Sequence, residues 1–367
     1  MKRALSLLML AFLSLTAADK KNPRAGEIPK GGNLNPKEEI PVFVVSSKHG
    51  MRIMISKDDG QSWQESFLGT SDQNTGGGHG PWAVNGLTLT KGIIGAYSGW
   101  GASGTYLGSD DGKKWSHLSS GEVEMKSVFG AAGGQGVMIA GADQWRGFSV
   151  SSENGANWKT IKPGNIEGFK ENGGKTHHLK CGYGAYGKGT FVVVGDHGHV
   201  FYSNDLGESW KHSMIPKEAL SKNPHFAGRG VGHKEVVFLD GAFLVLYDEQ
   251  VALSKDGGKT WKLVKHGLKS ISSVTLVNNE FWITSRSSKA VGRKSKDGEN
   301  WEDLPQSIPA GKICQSAKGT LINISRKTSK IQRSTDGGKS WKTVYENTGA
   351  KDTTKLWGYA VHGKIKK

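Results

Sequence analysis

The chain predicts an all-β fold, a seven-bladed β-propeller whose ring is closed by strands from the N- and C-terminal ends. Three observations carry this expectation. A short turn ending in tryptophan recurs seven times along the 367 residues. Successive copies start 52, 43, 52, 51, 41 and 39 residues apart, the length of chain that one four-stranded blade uses. Glycine occurs 53 times, as many tight turns require.

The copies begin at Ser56 (SKDDGQSW), Gly108 (GSDDGKKW), Ser151 (SSENGANW), Ser203 (SNDLGESW), Ser254 (SKDGGKTW), Ser295 (SKDGENW) and Ser334 (STDGGKSW). A strand leads into each turn and another follows the Trp. Asp and Ser side chains hydrogen-bond backbone N–H groups in such a bend, and Gly supplies positive φ without a Cβ clash. The indole packs back as a large apolar plug between sheets. The pattern Ser-x-Asp-x-Gly-x-x-Trp resembles the Asp-box of the sialidase-like, or bacterial neuraminidase repeat (BNR), propeller superfamily. The resemblance runs from about Pro41 to the end. Two copies depart from it: Glu153 replaces Asp in the third, and the sixth lacks one residue before Gly298. The resemblance implies that the box is a folding element away from the active site.

Each repeat reads as strands A, B and C, then the box, then strand D. Blade 4 is expected at 179–186, 191–195, 199–202 and 209–214, and blade 5 at 234–239, 243–247, 251–253 and 261–264. Blade 1 has no A strand ahead of it, and 356–362 can supply one, which removes the open edges of the ring. Boxes lie on the C–D connections, on the same face as the A–B turns. The D–A and B–C loops share the opposite face, where propeller ligands bind.

Residues 1–18 read as a signal peptide: Lys2 and Arg3, an apolar run over 5–15, and small residues for cleavage near Ala18. Residues 19–40 read as a flexible lead-in and 41–367 as the propeller. No later segment is apolar enough to span a membrane, so the expected product is secreted or periplasmic, soluble and monomeric. The formal charge of +16 becomes +14 without Lys2 and Arg3, and it favours an acidic polysaccharide or another anionic partner. A general solubility charge is the alternative, since Lys57, Lys113, Lys114, Lys259 and Lys339 sit in boxes. No nucleic-acid motif appears. Cys181 and Cys314 fall in inner strands three blades apart, too far for a bridge, and read as free thiols. No cofactor is expected.

The loop face is chemically loaded. Trp82, Trp100, Trp145 and Trp357 fall in or beside its loops, where indoles serve as sugar platforms or as packing. His49, His79, His177, His178, His197, His199 and His225 belong to the same loop class, densest around blade 4. Arg146, Arg229, Arg286 and Arg326 join them.

Arg and His can neutralise a uronate carboxylate, and a neutral His or an ionised Tyr can then abstract the acidified proton, eliminating the 4-linked sugar. The candidates are His177, His178 or His197 as base, Arg229 as neutraliser, and Tyr97, Tyr183 or Tyr247 as acid. Seven-bladed polysaccharide lyases look similar in architecture and residue types, although no lyase motif matches residue by residue. A glycosidase would use Asp196 with Asp248 or Glu249. Sialidase activity is disfavoured, because the Arg-Ile-Pro motif is missing and seven blades replace six. His197-x-His199 has a spacing usable for Zn²⁺, a weak signal, and no metal is assigned. The non-catalytic alternative is a binding or assembly propeller resembling the photosystem assembly factor. The leading expectation is acidic-glycan binding with lyase-type cleavage.

Overall fold

The computed structural model describes residues 38–47, 51–69, 84–99, 104–118, 128–142, 147–169, 181–219, 234–247, 250–269, 271–285, 291–304, 308–325, 328–348 and 357–367. The residues read above as the signal peptide and most of the lead-in lie outside this set. The described chain forms seven antiparallel sheets of four strands, each ordered A-B-C-D from the centre outward. Blade 4 comprises Cys181–Gly187, Thr190–Gly195, His199–Ser203 and Lys211–Met214; blade 5 comprises Lys234–Leu239, Ala242–Tyr247, Gln250–Ser254 and Lys262–Leu263. Trp357–Lys366 completes blade 1 by pairing antiparallel with Glu39–Ser47, from Glu39↔Lys366 to Ser47↔Trp357. The ring therefore closes through both chain ends, as expected. Among the described residues no helix is long and apolar enough to cross a membrane.

The boxes explain why the chain turns where it does. In all seven, the Ser Oγ accepts the N–H of the box Gly at 2.8–3.0 Å. In six, the same hydroxyl donates to the Asp carboxylate at 2.7–3.2 Å. That carboxylate accepts further donors from the bend. Burial opposes ionisation of Asp58, Asp111, Asp205 and Asp256, but these donors hold their carboxyls below the usual range. In the third box Glu153 accepts instead from the Asn157 side-chain amide. Box 2 corrects the sequence reading: its donor Gly112 N–H meets Ser109, three residues back, whereas Gly60 meets Ser56 four back. It therefore starts at Ser109 and is one residue short, like the sixth. The indole N–H of Trp158, Trp210, Trp261, Trp301 and Trp341 donates to the box Gly carbonyl at 2.9–3.2 Å, which pins each plug.

Blades pack face to face through apolar side chains. Val192, Val194 and Tyr202 of blade 4 meet Phe243, Val245 and Trp261 of blade 5 in one cluster. The A–B turns of blades 2 to 5 are two-residue X-Gly hairpins with positive φ at both positions, as at Lys91-Gly92 and Lys188-Gly189; blade 6 uses Asn278-Asn279. This is the twist-matched hairpin turn. Blades 3 and 4 abut more tightly than a side chain permits, for a Cβ on Gly141 would lie 1.5 Å from the Cys181 carbonyl oxygen. Both cysteines are free, as expected.

Candidate functional site: the central channel

The seven inner strands surround a channel of about 500 Å³. Their register defines its layers. In each blade the box serine pairs with a strand-B residue, which pairs in turn with a strand-A residue; in blades 1, 4, 5, 6 and 7 these are His362, Tyr186, Phe238, Leu276 and Gln315. Three residues earlier, toward the loop face, lie Tyr359, Tyr183, Glu235, Ser273 and Lys312. One polar and aromatic layer is thus assembled from five blades. Gly86 holds the same level in blade 2, and in blade 3 the lining runs over Ala131, Ala132 and Gly133, so these two blades offer the channel little bulk there. Bulges at this end interrupt the inner strands of blades 2, 3, 4 and 6, a feature that re-aims side chains.

Glu235 anchors the layer. Its buried carboxylate accepts the Ser273 hydroxyl at 2.7 Å and the Val274 N–H at 2.8 Å, and Lys312 Nζ stands 3.4 Å from its other oxygen. Hydrogen bonds and an ion pair of this kind offset the cost of burying a carboxylate. Lys312 Nζ also lies 5.5 Å from the centre of the Tyr359 ring, within cation–π range. Below it, burial pushes the Cys314 thiol up to about 12, against the pull of Lys312, so it stays protonated and unreactive at neutral pH. The layer can offer an incoming sugar two phenol rings, a cation and a fixed anion.

The described residues named from sequence fall in separate places. Tyr183 lies on the channel wall, paired across to Val194 of strand B. Asp196 is buried in the B–C turn of blade 4, and His197 sits in that turn at φ 58°, ψ 20°. Tyr247 reaches across from blade 5: its hydroxyl donates to the Gly195 carbonyl at 3.2 Å and accepts the Gly198 N–H at 3.0 Å. It therefore clasps the turn. The Tyr97 hydroxyl is buried 3.1 Å from Thr88 Oγ1, and burial raises its pKa. Trp357 is fully buried, with its indole N–H donating to the Ser329 carbonyl at 2.9 Å. His177, His178, Arg229, Asp248, Glu249, Trp82, Trp100, Trp145, Arg146, Arg286 and Arg326 lie outside the described residues.

The His197-x-His199 spacing does not act as a strand pair. His197 belongs to a left-handed turn and only His199 begins a strand, so alternation along a strand does not place both rings on one face. His199 instead pairs with His212 of strand D, Nδ1 to Nε2 at 2.9 Å, and His212 Nδ1 lies 3.1 Å from the Gly168 carbonyl. Phe169 packs on both rings. Burial first, then the neighbouring His212 and His197, holds His199 down at about 4.

Sequence reasoning missed Glu235, Ser273, Lys312, Tyr359 and the partner His212. No fixed spacing marks the channel layer, because Tyr183, Glu235, Ser273 and Lys312 precede their box serines by 20, 19, 22 and 22 residues; only strand register aligns them.

The BNR/Asp-box repeat family matches residues 332–343, the seventh box. No curated protein matches the sequence. Among solved structures, a putative 6-phosphogluconolactonase from Bacteroides fragilis is similar at 7% identity, covering 89% of this chain and 98% of its own, with a TM-score of 0.56. Apo AztD from Citrobacter koseri is similar at 11% identity, covering 89% and 99%, with a TM-score of 0.54. YCF48 from Cyanidioschyzon merolae, at 13% identity over 72% and 87%, has a TM-score of 0.49, too low to carry an argument. At these identities the likeness is one of fold alone. The chain is a seven-bladed β-propeller of four-stranded blades with seven box turns, one of which matches the BNR/Asp-box repeat.

Proposed function

We propose that the protein binds an anionic glycan at the loop-side mouth of the central channel. The observation that carries this reading is Lys312, a cation at the first, loop-side residue of its strand, set between Glu235 and the Tyr359 ring. Tyr359 and Tyr183 supply the amphipathic ring surface that sugars stack on, and the +16 chain attracts polyanions. The apolar leader at 1–18 fits a protein that meets such polymers outside the cytoplasm.

Of the reactions open to such a site we favour elimination beside a uronate carboxylate. A base takes the proton at C5, the electron pair forms the C4=C5 double bond, the C4–O bond breaks, and an acid protonates the leaving oxygen. Of the three candidate tyrosines, Tyr183 is the one that lines the channel; Tyr97 and Tyr247 are buried inside the blades. Polygalacturonate, alginate and heparin are the test polymers, with unsaturated products followed by absorbance. Reducing ends without that absorbance would mean hydrolysis, and binding without products a binding propeller. Lys312→Met should weaken binding and Lys312→Arg preserve it. Unchanged affinity in Lys312→Met would remove the basis of the proposal.

A further inference from the structure

Blades follow chain order around the ring, so charge segregated along the sequence is segregated in space. Residues 262–367 hold the last strand of blade 5, blades 6 and 7 and the closing strand. They contain 21 Lys and Arg against eight Asp and Glu, a net +13, whereas residues 39–261 contain 21 against 22. The described residues alone keep the asymmetry, with 15 against seven in the first set and 13 against 15 in the second. Nearly all the net positive charge of the propeller therefore belongs to one angular sector, because the rest balances its 21 cations with 22 acids. The boxes do not supply it, because each lysine there is offset by box carboxylates.

We infer that a linear sulfated or carboxylated polysaccharide docks along this sector, from the outer side of blades 5 and 6 around to blade 7. The inference rests on the glycan reading above and adds where the polymer runs. Some cations of the sector are committed internally: Arg293 to Asp303, Lys294 to Glu280 and Glu302, Lys262 to Glu299, and Arg333 to Asp59. Lys265, Lys269, Lys339 and Lys342 are exposed and form no ion pair among the described residues. The first two follow strand D of blade 5, toward the loop face, while Lys339 lies in the box of blade 7 and Lys342 just after it, on the other face. A small anion touches one such lysine, and an extended polymer with repeated charges engages several. Ammonium groups are point charges suited to scattered sulfates and carboxylates, and the two described arginines, the planar bidentate readers, are already engaged. Val291 is the sector's one exposed large hydrophobic residue among those described, which gives a bilayer little to grip.

The test compares two fourfold variants with the same change in net charge. One carries Lys265→Glu, Lys269→Glu, Lys339→Glu and Lys342→Glu; the other carries Lys91→Glu, Lys114→Glu, Lys159→Glu and Lys188→Glu in blades 2 to 4. Heparin and polygalacturonate are the probes, at two salt concentrations, with melting temperature confirming the fold. The sector variant should lose on the order of 10-fold in affinity and most of its salt dependence, and the control far less. Equal losses would mean that general charge is at work and would overturn the sector. Wild-type binding untouched by either variant would overturn it while leaving the channel reading intact. Absence of wild-type binding would overturn both. Tighter binding to phosphatidylglycerol vesicles or duplex DNA than to either glycan would overturn the occupant.

Discussion

Acidifying the protein from pH 7 to pH 4 should destabilise it through the His199–His212 pair. The folded pKa of His199 is about 4, against about 6.5 in an unfolded chain. Folding thus holds the ring neutral, and the unfolded state takes up the proton first. Stability is complete above the unfolded value and drains away as pH falls toward the folded one. A difference of about 2.5 pKa units, at 1.36 kcal/mol each, removes about 3 kcal/mol by pH 4. For a chain of this length that is a fall of about 4 °C in melting temperature. His212 is lowered as well, mainly by burial, and steepens the same window. Melting followed by circular dichroism at half-unit pH steps, on wild type and His199→Asn, reads the effect. Asn can still donate to His212 Nε2 but does not titrate, so the slope between pH 6.5 and 5 should fall. A wild-type curve flat down to pH 4.5, or an equal slope in His199→Asn, would refute the reasoning. The box aspartates, whose carboxyls are held low, lose their contribution from about pH 5 downward; that loss is common to wild type and His199→Asn, so the difference between the two curves isolates the histidine.

Tyr247→Phe removes one hydroxyl and leaves the Gly198 N–H and the Gly195 carbonyl without it. About 2–4 kcal/mol should be lost in urea unfolding, and hydrogen exchange at Gly198 should quicken. Gly141→Ala should fail to give a native ring, because its Cβ would meet the Cys181 carbonyl at 1.5 Å; soluble expression and near-ultraviolet circular dichroism report it. Ser254→Ala removes both the acceptor for Gly258 N–H and a donor to Asp256, and it should cost about 1–3 kcal/mol.

The architecture was legible because its signal is repeated and local. Each box is held by its own Ser, Asp and Gly, so the turn declares itself wherever the residues occur, and blade number and closure follow by counting. Box 2 escaped correct framing because Gly108 stands where the pattern expects Ser, and only the Gly112–Ser109 bond fixes its start. The channel layer was not legible for a different reason. Glu235, Ser273, Lys312 and Tyr359 come from four blades and meet only through register, which one bulge shifts by a residue. His199 was noticed, but its partner lies on a strand that the loop argument had set aside. The clasp of Tyr247 on its neighbour's turn has no sequence signature at all.

The meeting of the two termini has an architectural corollary. Strand A of blade 1 ends at Lys366, and the next amide, of Lys367, donates to the Glu38 carbonyl at 2.8 Å, on the box side of the disc. Residues 38 and 367 thus lie side by side, and a short peptide joining them, in place of what precedes residue 38, would turn the propeller into a covalent circle. Reopening such a circle at an X-Gly hairpin such as Lys188-Gly189 would give a permutant with every pairing kept, in which blade 4 rather than blade 1 bears the seam.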